Sequence, residues 1–345
     1  DHSLTPAQTD SMGFRLLGHF LDRLQKDAHS SELDYTNTSP LFFLLVSVAQ
    51  LVVTQLISWY LHPLFMWAAA LCIGGHWIGF CISLLIKSNK FYDIIEDLVF
   101  FLIILKSFLD IPYNPSLRQK LAFSCALCWC IRLCAFLGWR ILERGSDWRF
   151  DKLIKETSYN FFGWTSGGVW CWATGFCLWN VATLPPEAAH TELDWLDYTG
   201  ASLFVCGLVV ETVSDLQKYA FNSSYPSGGN PNWIQSGLWR FSRHPNYAGE
   251  MLLWLGISCV CVGGGEVVKV SFKHLFQAQN MQQLIVVASA DLKWLLVFVT
   301  PVWSFFFLLF TSLMLLEKRS DKKWGGKPLY EEYKRRTPVL CPWLC

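Results

Sequence analysis

The run SGLWRFSRHPNYAGE at residues 236–250 passes without a break into MLLWLGISCVCV at residues 251–262. The first part is polar, turn-forming and bears Arg and His. The second is a continuous apolar segment that reads as a helix. A basic turn opening directly into an apolar helix places its donors at the mouth of a membrane bundle. Such groups suit an anionic, hydrogen-bonding ligand better than a lipid-facing surface.

The rest of the chain agrees with a membrane setting. Of 345 residues, 52% are apolar and 16% charged, with 18 Trp and 26 Phe; a soluble domain carries about a quarter charged residues. Runs such as Leu41 to Leu61 and Trp294 to Leu316 are long enough to cross roughly 30 Å of hydrocarbon. Eight candidate spans follow Pro40, at about 41–61, 64–87, 94–111, 119–142, 161–184, 197–219, 248–265 and 294–316. His62-Pro63 separates the first two, and Pro112, Pro115, Pro185 and Pro186 close others. Glu96, Asp97 and Lys106 interrupt the third, which is the weakest. The expected fold is an all-α, polytopic integral membrane helix bundle of about seven to eight transmembrane helices. Residues 1–40 form a polar N-terminal segment. There Phe14, Leu17, Leu21 and Leu24 recur at helical spacing, as in an interfacial amphipathic helix or a short helix in a mobile tail. Residues 41–345 form the transmembrane domain, with a tail from 317.

The net charge of +1 gives no global field for nucleic acid, but the basic residues are clustered. Arg140, Arg144, Arg149, Lys152 and Lys155 share one loop, and Lys218, Arg240 and Arg243 another. Eight more basic residues follow Glu317, whereas the loop from Pro185 to Asp197 has none and carries Glu187, Glu192, Asp194 and Asp197. With eight spans all three basic segments fall on one side, which the positive-inside rule makes cytosolic. Their Arg forks and aromatic rings suit the phosphates and adenine of a dinucleotide. No GxGxxG follows a strand and no P-loop is present, so a Rossmann domain is not the binder. Gly263-Gly264-Gly265 reads as a turn.

Ionisable residues inside spans are costly and are functional or paired. Glu211 and Asp215 lie four apart on one helix face, with Lys218 close by; Arg132 falls within the fourth span, and Glu250 opens the seventh. Glu211 and Arg132 are the catalytic candidates. Arg132 pairs with Glu211 or Glu250 inside the bundle, and a purely structural ion pair is the alternative. Asp93 is expected at an interface, while Glu96 is left open. His76, beside Gly74 and Gly75, reads as a core histidine before it reads as a proton donor. The 13 cysteines sit mostly in apolar runs, and Cys125/Cys128 has no zinc-spaced partner pair. No metal is expected. Cys341 and Cys345 are free or lipidated.

The 236–250 stretch resembles the signature of the DUF1295 group in the steroid 5-alpha-reductase superfamily. Three further stretches agree. They are Ile131-Arg-Leu with Arg140, Arg144-Gly-Ser-Asp147 and Arg149-Phe150; Glu211-Thr-Val-Ser-Asp215-Leu-Gln-Lys218; and Leu315-Leu-Glu317 with Tyr330, Tyr333 and Thr337-Pro338. The resemblance covers roughly residues 90–345 and implies a helical membrane reductase with NADPH at the cytosolic end of the bundle. It implies that Asn246 and Glu250 hold the nicotinamide amide, that Ser214 and Asp215 help hold the nucleotide, and that Tyr333 contributes from the tail. Tyr247 completes the His-Pro-Asn-Tyr core. Arg240, Arg243 and His244 are assigned to the phosphates from charge and position. The implied reaction is hydride transfer to the β carbon of a carbon–carbon double bond conjugated to a carbonyl. The steroid enzymes also use a Tyr and a Glu from earlier helices. The nearest alignable position here, before Arg132, is Trp129, and no equivalent Glu is clear.

The implied partners are a lipid-like or steroid small molecule and the membrane lipids, with no nucleic acid. The alternatives are an S-adenosylmethionine-dependent methyltransferase of the isoprenylcysteine type and a non-enzymatic sterol-binding membrane protein. The location expected is the endoplasmic reticulum membrane for a eukaryotic chain and the inner membrane for a bacterial one.

Overall fold

The computed structural model describes residues 39–144, 153–184, 192–224, 232–262 and 293–340, with isolated positions 186, 273, 277 and 282. The expected N-terminal helix, Gly145–Phe150, His190, Gly263–Gly265, His274, Cys341 and Cys345 lie outside them. The described residues are helical, with no strand among them. The helices are α1 (Pro40–Leu61), α2 (Pro63–Ile86), α3 (Tyr92–Leu109), α4 (Leu117–Arg144), α5 (Thr157–Thr174), α6 (Phe176–Ala182), α7 (Trp195–Ser223) and α8 (Pro245–Cys261). After them come α9 (Val299–Phe307), α10 (Met314–Trp324) and α11 (Pro328–Arg336). A wide turn of π type, Leu308–Leu313, joins α9 to α10.

Local chemistry sets the boundaries. His62 ends α1 and caps α2: its Nδ1 accepts the Leu64 amide at 3.1 Å, and Pro63 supplies the preset first helical position. Ser116 and Gln119 cap α4 reciprocally. The Gln119 amide donates to Ser116 Oγ (3.2 Å) and the Ser116 amide to Gln119 Oε1 (2.9 Å).

All eight expected spans contain helix, yet only five among the described residues are long and apolar enough to cross a membrane: Pro40–Leu61, Pro63–Ile86, Leu117–Glu143, Trp195–Ser223 and Leu295–Trp324. The other three differ for separate reasons. Asp93, Glu96, Asp97 and Lys106 break the apolar run of α3. Gly175 divides the fifth segment into α5 and α6, and α8 has only 17 residues. The fold is thus an all-α membrane bundle with five candidate spans among the described residues.

The chain forms two compact units. The signature unit holds Val205–Leu253 and the segment from Phe305 onward; the bundle unit holds Thr36–Phe204 and Trp254–Ser304.

In the bundle unit, glycines let α2 and α5 approach. A Cβ on Gly168 would lie 2.8 Å from the Ile73 Cα, and one on Gly79 would lie 2.3 Å from the Trp164 ring. Several of the polar groups buried there satisfy one another. Trp164 Nε1 donates to Asn89 Oδ1 (3.1 Å), Asn89 Nδ2 to Asn160 Oδ1 (2.9 Å), and Asn160 Nδ2 to Ser83 Oγ (2.9 Å). Phe100, Trp129, Trp170 and Trp254 pack as an aromatic cluster, with the Trp129 and Trp254 rings 5.1 Å apart. Asp197, counted above among the acidic loop residues, is fully buried and takes both Arg118 Nε and Nη2 at 2.8 Å. Arg118 Nη2 also donates to the Glu192 carbonyl at 3.0 Å. Asp93 pairs with Arg140 at 3.0 Å.

Candidate functional site

In the signature unit, α7 and α8 cross at two glycines. A Cβ on Gly207 would sit 2.5 Å from the Leu253 amide nitrogen, and one on Gly249 would sit 2.6 Å from that of Glu211. Any larger residue would force the backbones apart. This contact brings the α7 stretch holding Glu211, Ser214 and Asp215 against the head of α8, which carries Asn246, Tyr247 and Glu250. Glu211, Ser214, Asp215 and Glu250 are all buried.

The turn before α8 is clamped from two sides. Gly237 has φ +61°, open to glycine at no steric cost, and a Cβ there would strike the Gln217 side chain at 2.4 Å. Gln217 Oε1 accepts the Leu238 amide at 3.0 Å, and Trp239 Nε1 donates to the Ser214 carbonyl at 3.1 Å. Lys218 lies over the Trp239 ring at 4.7 Å. From the other side comes the C-terminal segment. The Arg243 and His244 amides donate to the Pro338 (2.8 Å) and Val339 (3.0 Å) carbonyls, and Tyr333 Oη donates to the Trp239 carbonyl at 2.9 Å. Trp233 packs against Tyr330 with ring centroids 5.0 Å apart.

Charge inside this turn converges on Glu317. His244 Nε2 lies 2.7 Å from Glu317 Oε1, and the Arg243 guanidinium pairs with Oε2. Burial holds the His244 pKa below its ordinary value of 6.5, against the opposing pull of Glu317, and the positive charges of Lys218 and Arg243 add to the lowering. A neutral His244 then donates from Nε2 to the carboxylate, leaving Nδ1 as a bare acceptor. Burial also pushes the Tyr333 phenol up, so it stays protonated.

Apart from Arg243 Nη1, which is matched by its ion pair with Glu317 Oε2, three buried atoms in this short stretch have no hydrogen-bond partner among the described residues: Arg243 Nε, His244 Nδ1 and Asn246 Oδ1. They comprise one donor and two acceptors within four residues. Buried polar atoms are mostly satisfied, so such a cluster is a candidate place for a ligand or an ordered water to supply the partners.

The sequence-based assignments divide accordingly. Ser214 donates back to the Val210 (2.6 Å) and Glu211 (3.0 Å) carbonyls, which leaves its oxygen as an acceptor. Arg243 and His244, expected at the phosphates, are both engaged by Glu317, Arg243 through its charge and His244 through its Nε2 hydrogen bond. Tyr333 spends its hydroxyl on Trp239, and Tyr247 stacks on His244 with centroids 5.9 Å apart. Arg240 is exposed and lines a cavity of about 490 Å³ with Gln235, Phe241, Tyr333, Arg336 and Thr337. The sequence marks Arg336 only through the basic run Lys334-Arg335-Arg336. Arg132 belongs to the bundle unit, half-buried, with its guanidinium 5.5 Å from the Phe136 ring.

A helical membrane protein with a polar, tail-clamped turn at the head of one helix is thus the class defined by fold and site. The DUF1295 family, described as a protein family of unknown function, matches residues 79–272 and 275–337, and the chain belongs to it. That family is part of the steroid 5-alpha-reductase-like superfamily. No curated protein and no solved structure matches the chain.

Proposed function

We propose that the protein is a membrane-embedded, NADPH-dependent reductase acting on a conjugated carbon–carbon double bond of a lipid or steroid-like substrate. The observation that supports this most is the unsatisfied set in the 243–246 turn, beside the buried carboxylates of α7 and α8. A nicotinamide carboxamide offers both an N–H donor and a carbonyl acceptor, so it complements Asn246 Oδ1 together with a neighbouring donor. Glu250, one helical turn after Asn246, accepts from the same amide. Arg240 and Arg336, exposed at the mouth of the 490 Å³ cavity, suit phosphate oxygens. Family membership in a steroid reductase-like superfamily points the same way.

When bound, NADPH supplies a hydride to the β carbon of the enone. The chain's residues then orient the carboxamide, neutralise the phosphates and deliver the proton that completes reduction. Glu211, 2% exposed, is the carboxyl in this unit that we assign to that proton. We place the protein in the endoplasmic reticulum membrane if the chain is eukaryotic and in the inner membrane if it is bacterial.

The test is Glu250→Gln in detergent-purified protein. Loss of one charge-assisted hydrogen bond, worth about 1.5–3 kcal/mol, should weaken NADPH binding by roughly ten- to a hundredfold in a fluorescence titration. Unchanged NADPH affinity in a folded variant would sink this cofactor geometry.

A further inference from the structure

His76, Glu96 and Cys171 come from three different helices of the bundle unit and converge on one point. His76 is on α2, Glu96 on α3 and Cys171 on α5. His76 Nε2 lies 3.8 Å from Glu96 Oε1 and 3.9 Å from Cys171 Sγ, and the three candidate ligand atoms all fall within 4.8 Å of one another. His76 and Cys171 are 0% exposed.

The surroundings favour metal ligation in three ways. First, His76 Nδ1 lies 2.7 Å from the Cys72 carbonyl, which can only accept. Nδ1 therefore carries a proton, which makes Nε2 the nitrogen that faces Glu96 and Cys171. A histidine oriented by a carbonyl through its other nitrogen is the usual arrangement of a metal-bound imidazole. Second, the helix carrying Cys171 is shaped for close approach. A Cβ on Gly167, one turn before Cys171, would lie 2.5 Å from Tyr92 Oη, 2.9 Å from His76 Cδ2 and 3.0 Å from Glu96 Oε1. Only glycine lets all three side chains crowd this face of α5. Tyr92 Oη is itself held by the Gly163 carbonyl at 2.9 Å. Third, charge balances. A divalent ion with one thiolate, one carboxylate and one neutral imidazole is a neutral complex, which suits burial in an apolar bundle better than any of its charged parts alone.

We propose that His76, Glu96 and Cys171 form a site for a divalent ion of the zinc class. With metal–nitrogen bonds of about 2.0–2.1 Å and metal–sulfur bonds of about 2.3 Å, tetrahedral ligands stand about 3.3–3.6 Å apart. The two His76 separations of 3.8 and 3.9 Å close to that by shifts of a few tenths of an ångström, and the Glu96–Cys171 pair, within 4.8 Å, by a larger movement of the Glu96 side chain. The thiolate and imidazole select against magnesium and calcium, which take oxygen ligands. Three protein ligands leave one tetrahedral position for water or another small ligand.

The test is cobalt(II) titration of the purified full-length protein after chelation. The wild type should take up cobalt with a sulfur-to-cobalt charge-transfer band in the near ultraviolet and the intense visible bands of four-coordinate cobalt. Cys171→Ser should lose the charge-transfer band, and His76→Gln should lose at least tenfold in affinity. Cys128→Ser, at an exposed cysteine, should change neither. A wild-type protein without the charge-transfer band would overturn the site whether or not the variants fold. So would a band that survives Cys171→Ser, or one lost with Cys128→Ser.

Discussion

Arg118 and Asp197 in the bundle unit, and Arg243, His244 and Glu317 in the signature unit, are both buried charge clusters, but they differ in how completely they are satisfied. Arg118 gives two parallel bonds of 2.8 Å to Asp197 and a third of 3.0 Å to the Glu192 carbonyl. Asp197 accepts the Asp194 amide as well, at 2.9 Å. That cluster is closed and ties the start of α4 to the start of α7. In the signature unit, Arg243 Nε, His244 Nδ1 and Asn246 Oδ1 are left over after Glu317 has taken its two partners. The open set makes the 236–250 turn the region we propose for binding, although much of its chemistry is spent on holding its own shape.

The largest effect that would sharpen this contrast belongs to the closed cluster. Asp197→Ala leaves Arg118 buried without its countercharge and should cost about 3–5 kcal/mol, read by thermal unfolding in detergent. The NADPH-induced shift of the protein that still folds should keep its wild-type size; a lost shift would tie Arg118–Asp197 to binding and dissolve the distinction. A smaller effect belongs to Tyr333→Phe, which removes the bond to the Trp239 carbonyl at a cost of about 1 kcal/mol. Stability should fall while NADPH affinity holds, because the hydroxyl is engaged with the turn. The reverse pattern would return Tyr333 to the ligand.

The smallest effect is the pH response of His244. Its pKa is held below 6.5 by burial, so the unfolded chain accepts a proton that the folded chain resists. Stability should therefore be unaffected by this group well above pH 6.5 and fall as pH drops below it. Melting temperatures between about pH 7.5 and 5.5 should show that decline, and His244→Asn should flatten it. A decline of equal slope in the variant would assign it to other groups.

Hydropathy made the helical spans legible, because a run such as Leu41 to Leu61 admits few other readings. Their number was less legible. The single glycine at 175 and the acidic residues on α3 decide whether a helical segment is long and apolar enough to cross, and their effect depends on packing. The candidate site was visible where its residues are contiguous, as from Arg240 to Glu250. The partner that neutralises Arg243 and holds His244 lies about seventy residues away, so Glu317 is legible only as part of a tail motif. Arg118–Asp197 was invisible for the same reason. His76, Glu96 and Cys171 contribute one residue per helix, so no spacing rule for metal ligands could expose them.

We propose that the signature unit holds a nicotinamide dinucleotide. The most direct measurement is a thermal-shift titration of the purified protein with NADPH and S-adenosylmethionine side by side. A ligand specific for the folded state adds about 2.7 kcal/mol at a hundred times its Kd. A saturable upward shift with NADPH and none with S-adenosylmethionine is expected. A shift with S-adenosylmethionine alone would move the protein to the methyltransferases, and no shift with either would contradict the reductase reading.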